Sequence, residues 1–545
     1  MSFVLPKQLK DLNALGFDLL LPVELNDVDV DRMMTPILEL AVKGGRMAAS
    51  TTDPKDYESR LSALRRSDKL IGFGHERGRE ILDGWLRTSV VKTGTAGRRR
   101  NVAQMDYLQP LTIATYRSGL PKSRRNRRAD ELTYRSLVLA VRGAGQTHPE
   151  QIIMKLFMDV FGAGVDLGPM PSATPRYDES TCIDINSLLC LRLLEVFPGN
   201  AKLFKAKELP DFAVPGAVAP LGGDVLAFLR LYGALMPPAE AMSHLAALLS
   251  LRLFQLPLRT AAAARAVLQH QPTADLDKPD ADNPLEIYCD FTRRRGGPSD
   301  ELSQRCVQRD LDNLGSFFAD RLLLRTLYQA LVLVGGGNSV REMPASQQLR
   351  AISDMRTDAE MILALRMQLR AIEQALDDSV SGDEGRAFID EVRHSGLSVP
   401  EQLTTVLVDG LRKGGMEKQV AWFWSTGGIN KTYGLLAGTQ KARTTWRYAP
   451  SDELLTALLT LCFVEPSGTR TRAKLPIAEV LRRLEQRFGL LIARPPVMLD
   501  GPDSRAGAAD NLDAFVRKLQ LLGCFQSLSD DFSAQFVNRP REAAA

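Results

Sequence analysis

Apolar residues recur at helical spacing along most of the chain, and this limits it to folds in which helices bury one face against other helices. Leu302, Cys306, Leu311, Leu314 and Phe318 form one such stripe. Leu454, Leu455, Leu458, Leu459 and Cys462 form a second, and Ile477, Val480, Leu481, Leu484 and Phe488 a third. Aromatic residues make up only 6% of the sequence. β-Sandwiches lean on aromatic and β-branched side chains, so this composition favours helix on helix. A length of 545 residues predicts several domains rather than one core. The expected fold is mainly α and multidomain, with a small strand-containing N-terminal region and a C-terminal winged-helix-like module.

Four segments follow from the pattern. Residues 1–142 mix helix and strand: Thr35 and Pro36 predict a helix start, and Val102, Leu108, Leu111, Ile113 and Tyr116 a strand-like stretch. Residues 143–270 read as helical, with helices over 149–161, 224–235, 238–253 and 258–270 and irregular chain over 198–220. The stretch 271–283, with Asp275, Asp277, Asp280, Asp282 and two prolines, reads as a linker. Residues 284–412 begin with a short strand and continue in two long helices, one capped by Ser299 and ended at Gly335–Gly337, the other over 346–377. Residues 413–545 hold an aromatic and basic stretch, then three helices, the last ending at Gly523. Two short apolar–polar alternations follow, around a Ser529-Asp530-Asp531 turn. Helix, helix, helix, hairpin is the order of a winged helix.

Charge is unevenly distributed. Residues 60–142 carry 19 Lys/Arg against 7 Asp/Glu, although the whole chain sums to +4. Arg98, Arg99 and Arg100, with Lys122, Arg124, Arg125, Arg127 and Arg128, are the candidate nucleic-acid-binding residues, because loop guanidiniums supply sequence-independent phosphate contacts. Tyr107 and Tyr116 lie between the two clusters, where rings could stack on unpaired bases. A solvated basic loop, or one docking an acidic protein, accounts for the same residues. Residues 450–545 hold 12 basic and 12 acidic side chains, so the C-terminal module is expected to contact proteins rather than duplex.

No catalytic residue and no metal or cofactor site is readable. The five histidines are scattered, and neither a Walker A loop nor a G-x-S-x-G elbow occurs. Glu286 and Asp290 share a strand face and are the carboxylates a metal-dependent nuclease would use, the alternative reading, though no Lys follows in the usual place. A strand edge leading into a helix cap explains them as well. Gly72 to Gly78 superficially resembles a dinucleotide loop but lacks the preceding strand and the ribose-binding acid. Trp422, Trp424, Trp446, Tyr433 and Tyr448 read as a local core more readily than as a base-stacking surface. Six scattered cysteines suit a reducing compartment. No run of eighteen uncharged apolar residues occurs, and the N-terminus lacks a long apolar stretch after Lys7 and Lys10. A cytoplasmic protein without a membrane partner is expected.

Three stretches carry a family resemblance: CDFTRRRGGPSDELSQRCVQRDLDNLGSF at 289–317, SDELLTALLTLCF at 451–463 and LSDDFSAQFVNRP at 528–540. Together they resemble helical accessory proteins of bacterial phage-defence islands, in particular of a methylation-associated defence system. The resemblance implies a non-enzymatic subunit working beside other defence-system proteins, including a DNA methyltransferase and an ATPase, on nucleic acid, most simply DNA. It transfers no catalytic residue.

Overall fold

The computed structural model describes residues 5, 9, 12, 15–48, 66, 73–85, 91–94, 104–108, 113, 126–162, 164–166, 176–177, 185, 188–189, 191–192, 203–205, 213–270, 285–377, 382–465, 468–526 and 535–541. The fold is mainly α, with sixteen α-helices and only small sheets among the described residues. In the N-terminal half the helices are α1 (Val30–Val42), α2 (Glu76–Trp85), α3 (Ala129–Gly143), α4 (Pro149–Phe161), α5 (Pro215–Leu231) and α6 (Pro238–Leu268). The strands there pair as β1 (Arg46–Ala48) with β6 (Leu203–Lys205), β2 (Val91–Gly94) with β3 (Gln104–Leu108), and β4 (Val165–Asp166) with β5 (Arg176–Tyr177). The strand expected between Val102 and Tyr116 is thus β3, and its partner β2 was not anticipated.

Prolines account for several departures from expectation. Thr35 and Pro36 do not open a helix; they lie buried inside α1, which starts at Val30. Pro215, not Asp224, opens α5, and Pro220 sits within its second turn. Gly222 lets this helix meet α3 backbone to backbone, since a Cβ there would lie 2.1 Å from the Ser136 carbonyl oxygen. The two helices expected over 238–253 and 258–270 are one, with Pro257 inside it. An internal proline leaves the carbonyl four residues back without its amide partner. Here that carbonyl belongs to Leu253, and the Trp422 indole Nε1–H donates to it at 3.0 Å in the core. The helix therefore passes through the proline. Pro238–Leu268 is long and apolar enough to cross a membrane by length and composition, but 89% of its most apolar window is buried inside the protein.

The C-terminal half adds α7 (Pro298–Leu333), α8 (Gly337–Arg341), α9 (Ala345–Asp354), α10 (Ala359–Asp377), α11 (Gly382–His394), α12 (Val399–Gly410), α13 (Arg412–Thr426), α14 (Asp452–Cys462), α15 (Ile477–Phe488) and α16 (Pro502–Leu521). At 36 residues, α7 is about 54 Å long, and it packs against α6, α10, α12, α13 and α16. Its predicted stripe of Leu302, Cys306, Leu311, Leu314 and Phe318 is buried. The helix expected over 346–377 is two, α9 and α10, broken at Met355–Asp358, where the Asp358 carboxylate accepts from the Met361 amide at 3.0 Å and restarts the helix.

A hairpin of β8 (Leu436–Thr439) and β9 (Ala442–Tyr448) lies along α7. Strand β7 (Ile287–Tyr288) runs parallel to β11 (Leu490–Leu491). The last sheet is antiparallel, in the order β10 (Lys474–Pro476), β13 (Phe536–Asn538), β12 (Phe525–Gln526). Its first strand precedes α15 directly and was missing from the sequence reading. The turn at Ser529–Asp531, like the linker at 271–283, lies outside the described residues.

Candidate nucleic-acid interface and C-terminal module

Of the eight basic residues singled out, Arg98, Arg99, Arg100, Lys122, Arg124 and Arg125 lie outside the described residues. Arg98 to Arg100 fall in sequence between β2 and β3. Arg127 and Arg128 are described, and the chain spends them internally. Both adopt left-handed backbone, φ 53° and 63°, where the chain turns into α3. Arg127 Nη1 donates to Glu24 Oε1 at 2.9 Å and Nη2 to Asp27 Oδ1 at 3.0 Å, while the Arg127 carbonyl accepts from the Glu24 amide at 3.0 Å. Arg128 Nη1 reaches Asp18 Oδ2 at 2.8 Å. Buried Asn126 braces the corner by donating to Asp130 Oδ2 at 3.2 Å.

The acids that hold these arginines lie about a hundred positions upstream, which local reading could not connect. A signal was nonetheless present: residues 1–31 carry six Asp/Glu and two Lys, a charge bias opposite to that of 60–142. Asp29 and Asp31, from the same stretch, receive Lys431 Nζ at 3.2 and 2.6 Å, and Tyr433 Oη donates to Asp31 at 3.0 Å. Burial disfavours the lysine's charge, but the two carboxylates outweigh it and hold its pKa up. The N-terminal acids therefore tie the first helix to the segment after α13.

The aromatic cluster is core. Trp422, Trp446 and Tyr448 are fully buried, Tyr433 nearly so, and Trp424 lies half-buried against them. Lys441 and Arg443 stand exposed at the β8–β9 hairpin.

The C-terminal helices are welded to the rest of the chain through Asp224 of α5. Arg252 Nε of α6 donates to Oδ2 at 2.8 Å, and Arg487 of α15 donates to Oδ1 through Nε at 3.0 Å and Nη2 at 2.8 Å. Burial pushes the Asp224 pKa up, but Arg252 and Arg487 more than offset it and leave the carboxyl below its ordinary range. Arg252 Nη2 and Gln255 Nε2 then donate to the Arg487 and Phe488 carbonyls at 2.8 and 2.6 Å, closing the last turn of α15. On α16, Ser504, Gly507, Ala508, Asn511 and Phe515 are buried. A Cβ at Gly507 would lie 2.9 Å from the Ser299 amide nitrogen, so the helix backbone rests on the start of α7. Asn511 donates to the Cys289 and Ile492 carbonyls at 2.8 and 3.1 Å and accepts from the Phe291 amide at 2.6 Å. The residues α16 leaves exposed include Asp503, Asp510 and Asp513 beside Arg505 and Arg517.

Glu286 and Asp290 are not gathered round an open position. Glu286 Oε1 accepts from Arg494 Nη1 at 3.1 Å and Oε2 from the Val497 amide at 3.0 Å. Asp290, 2% exposed, accepts at Oδ1 from the Thr292 amide, the Thr292 hydroxyl and the Ser299 hydroxyl, at 3.1, 2.7 and 2.7 Å, and at Oδ2 from the Arg293 amide at 3.2 Å. All four oxygens are engaged within the fold, but neither carboxylate caps a helix, and Ser299 does not either: α7 opens at Gly297–Pro298 without a side-chain cap, and Ser299 lies inside its first turn. His75 Nδ1 accepts from the Gly78 amide at 2.8 Å, which makes the described part of this stretch, Phe73–Gly78, a helix start. Among the described residues no three His, Cys, Asp or Glu side chains come together as a metal site.

A mainly helical protein built along one long helix, with buried ion pairs such as Arg252–Asp224–Arg487 and Asp300–Arg447 knitting distant segments together, is the class this architecture defines. Residues 10–541 match the family model of the Methylation-associated defense system protein MAD7, and the chain belongs to that family. It is therefore a component of a methylation-associated defence system, as the three resembling stretches implied. No curated protein matches it.

Proposed function

We propose that the chain is a non-enzymatic, cytoplasmic subunit of this defence system, holding nucleic acid through residues 1–142 and other defence proteins through a winged-helix-like module within 413–545. The supporting observation is the formal charge of the whole N-terminal segment. Residues 1–142, including the acidic stretch that pins Arg127 and Arg128, still hold 25 Lys/Arg against 17 Asp/Glu, an excess of +8, so the remainder carries −4. Such segregation suits a polyanion at one end of the chain.

For the module, support comes from its order: α14, β10, α15, α16, β12, β13, with β13 between the other two strands. In DNA readers of this topology the third helix enters the major groove. Here α16 lies against α7 with acids on its outer side, which favours protein partners over duplex.

The test is a salt titration of full-length protein on DNA duplexes of unrelated sequence. Neutralising Arg98, Arg99, Arg100, Lys122, Arg124 and Arg125 to Gln should weaken binding to every duplex alike and flatten the salt slope, each lost phosphate contact removing about 0.9 from it. An unchanged slope would remove the N-terminal interface from the proposal; absence of binding by the parent protein would leave a pure scaffold.

A further inference from the structure

Arg293, Arg294 and Arg295 lie on the loop between β7 and α7, within the first of the stretches that carry the family resemblance. Every other polar side chain of the 290–300 segment turns inward. Asp290 gathers the Thr292 and Arg293 amides and the Thr292 and Ser299 hydroxyls. Asp300, 1% exposed, accepts from the Gly296 amide and Gln304 Nε2 at 3.0 and 2.7 Å and faces Arg447 Nε at 3.1 Å. Tyr288 Oη lies 3.0 Å from the Ser299 hydroxyl. The loop backbone is thereby fixed, with Arg293 held at φ 56°.

The arginines point the other way. Arg293 reaches only Asp452, at 3.6 Å, an acid already bound by Lys518 Nζ at 2.5 Å. Arg294 and Arg295 are exposed, and among the described residues their side chains have no hydrogen-bond or ion-pair partner. The same holds for exposed Arg305, two turns into α7. A Cβ at Gly296 would meet nothing within 4 Å, so the loop's flank is open.

We propose that this loop is a second nucleic-acid contact, in which Arg294 and Arg295 grip the sugar–phosphate backbone of a duplex. It rests on the reading of the chain as a nucleic-acid-holding subunit and adds a site outside residues 1–142. Guanidinium forks match phosphate oxygens in pairs, and a loop rigid before binding loses little entropy on contact. A protein partner would look for an apolar anchor. No large hydrophobic residue from Asp290 to Arg305 is exposed. Opposing charges nearby include Asp452, already shared between two cations, exposed Glu453 beside it, exposed Glu301 in the first turn of α7, and exposed Asp510 of α16, next to the Asn511 that holds the Phe291 amide.

The experiment compares full-length R294A/R295A, R294K/R295K and a K122A/R124A/R125A variant by fluorescence anisotropy on a labelled 30-base-pair duplex across a salt series. R294A/R295A should weaken binding about tenfold or more near 0.1 M salt and cut the slope by nearly two, at unchanged melting temperature. The lysine pair should keep the slope and lose only part of the affinity, because charge remains and the fork is gone. If R294A/R295A binds like the parent while the N-terminal variant loses affinity, the loop proposal is wrong and the N-terminal interface stands. The opposite pattern upholds the loop and sinks the N-terminal interface. A parent that fails to bind duplex at 50 mM salt overturns both. Should R294A/R295A keep its DNA and lose a defence-system protein in reconstitution, the site is a protein contact and the proposal fails.

Discussion

Two arginine-rich corners of this chain have similar composition and opposite use. At Asn126–Arg128 the acids are remote in sequence and grasp the guanidiniums themselves, so the side chains are occupied while acids and bases cancel near the surface. At Arg293–Arg295 the acid is local and buried, and it grasps the loop's backbone, leaving the guanidiniums outside. A run of basic letters therefore does not say whether its charge is available. That depends on where the nearest carboxylate sits and whether it holds main chain or side chain.

Carboxylates that organise buried structure should be costly to remove, and those that merely face an exposed guanidinium should not. The extreme case is Asp224, whose loss strands Arg252 and Arg487: Asp224→Ala should destabilise by about 3–5 kcal/mol in chemical denaturation. The pH dependence has a definite sign. Because the folded pKa lies below the ordinary 3.8, the stabilisation is present above that value and drains as pH falls through the lower folded one. The parent should thus lose stability more steeply than Asp224→Asn as the pH is lowered below 3.8. Equal slopes would mean the pair of arginines contributes nothing to the carboxylate.

Asp290→Ala comes next, at about 2–4 kcal/mol, since four donors lose one buried acceptor. Duplex affinity should fall with it as the loop loosens; a variant with normal stability would break the comparison outright. Smallest is the double change Glu24→Ala with Asp27→Ala, expected to cost less than about 1 kcal/mol because both carboxylates are half exposed. A loss as large as that of Asp290→Ala would show that the N-terminal corner, too, is held by its acids and not only decorated by them.

Helical stripes were legible because each is a local pattern: those of α7, α14 and α15 bury the residues the spacing picked out, except Leu481 of α15, which is only partly buried. The aromatic core in and after α13 was legible for the same reason. Tertiary rescue was not. Pro257 reads as a break unless one knows that Trp422, 165 positions away, supplies the missing hydrogen bond. β10, three residues long and ending in proline, has too little sequence to show a period of two. At the candidate interface the cations could be named from the letters alone, whereas their consumption by Asp18, Glu24 and Asp27 depends on a chain path no local window contains.

The junction at Asp224 bears on how this subunit is handled in an assembly. Peeling the C-terminal helices away from α5 and α6 would pull the Arg487 guanidinium off the carboxylate it shares with Arg252, and the last carbonyls of α15 off Arg252 and Gln255, a step far dearer than parting surface pairs. A neighbour that seizes these helices consequently hauls on the whole molecule. Displacement of α15 should be felt at α5 and α6 as rigid-body motion.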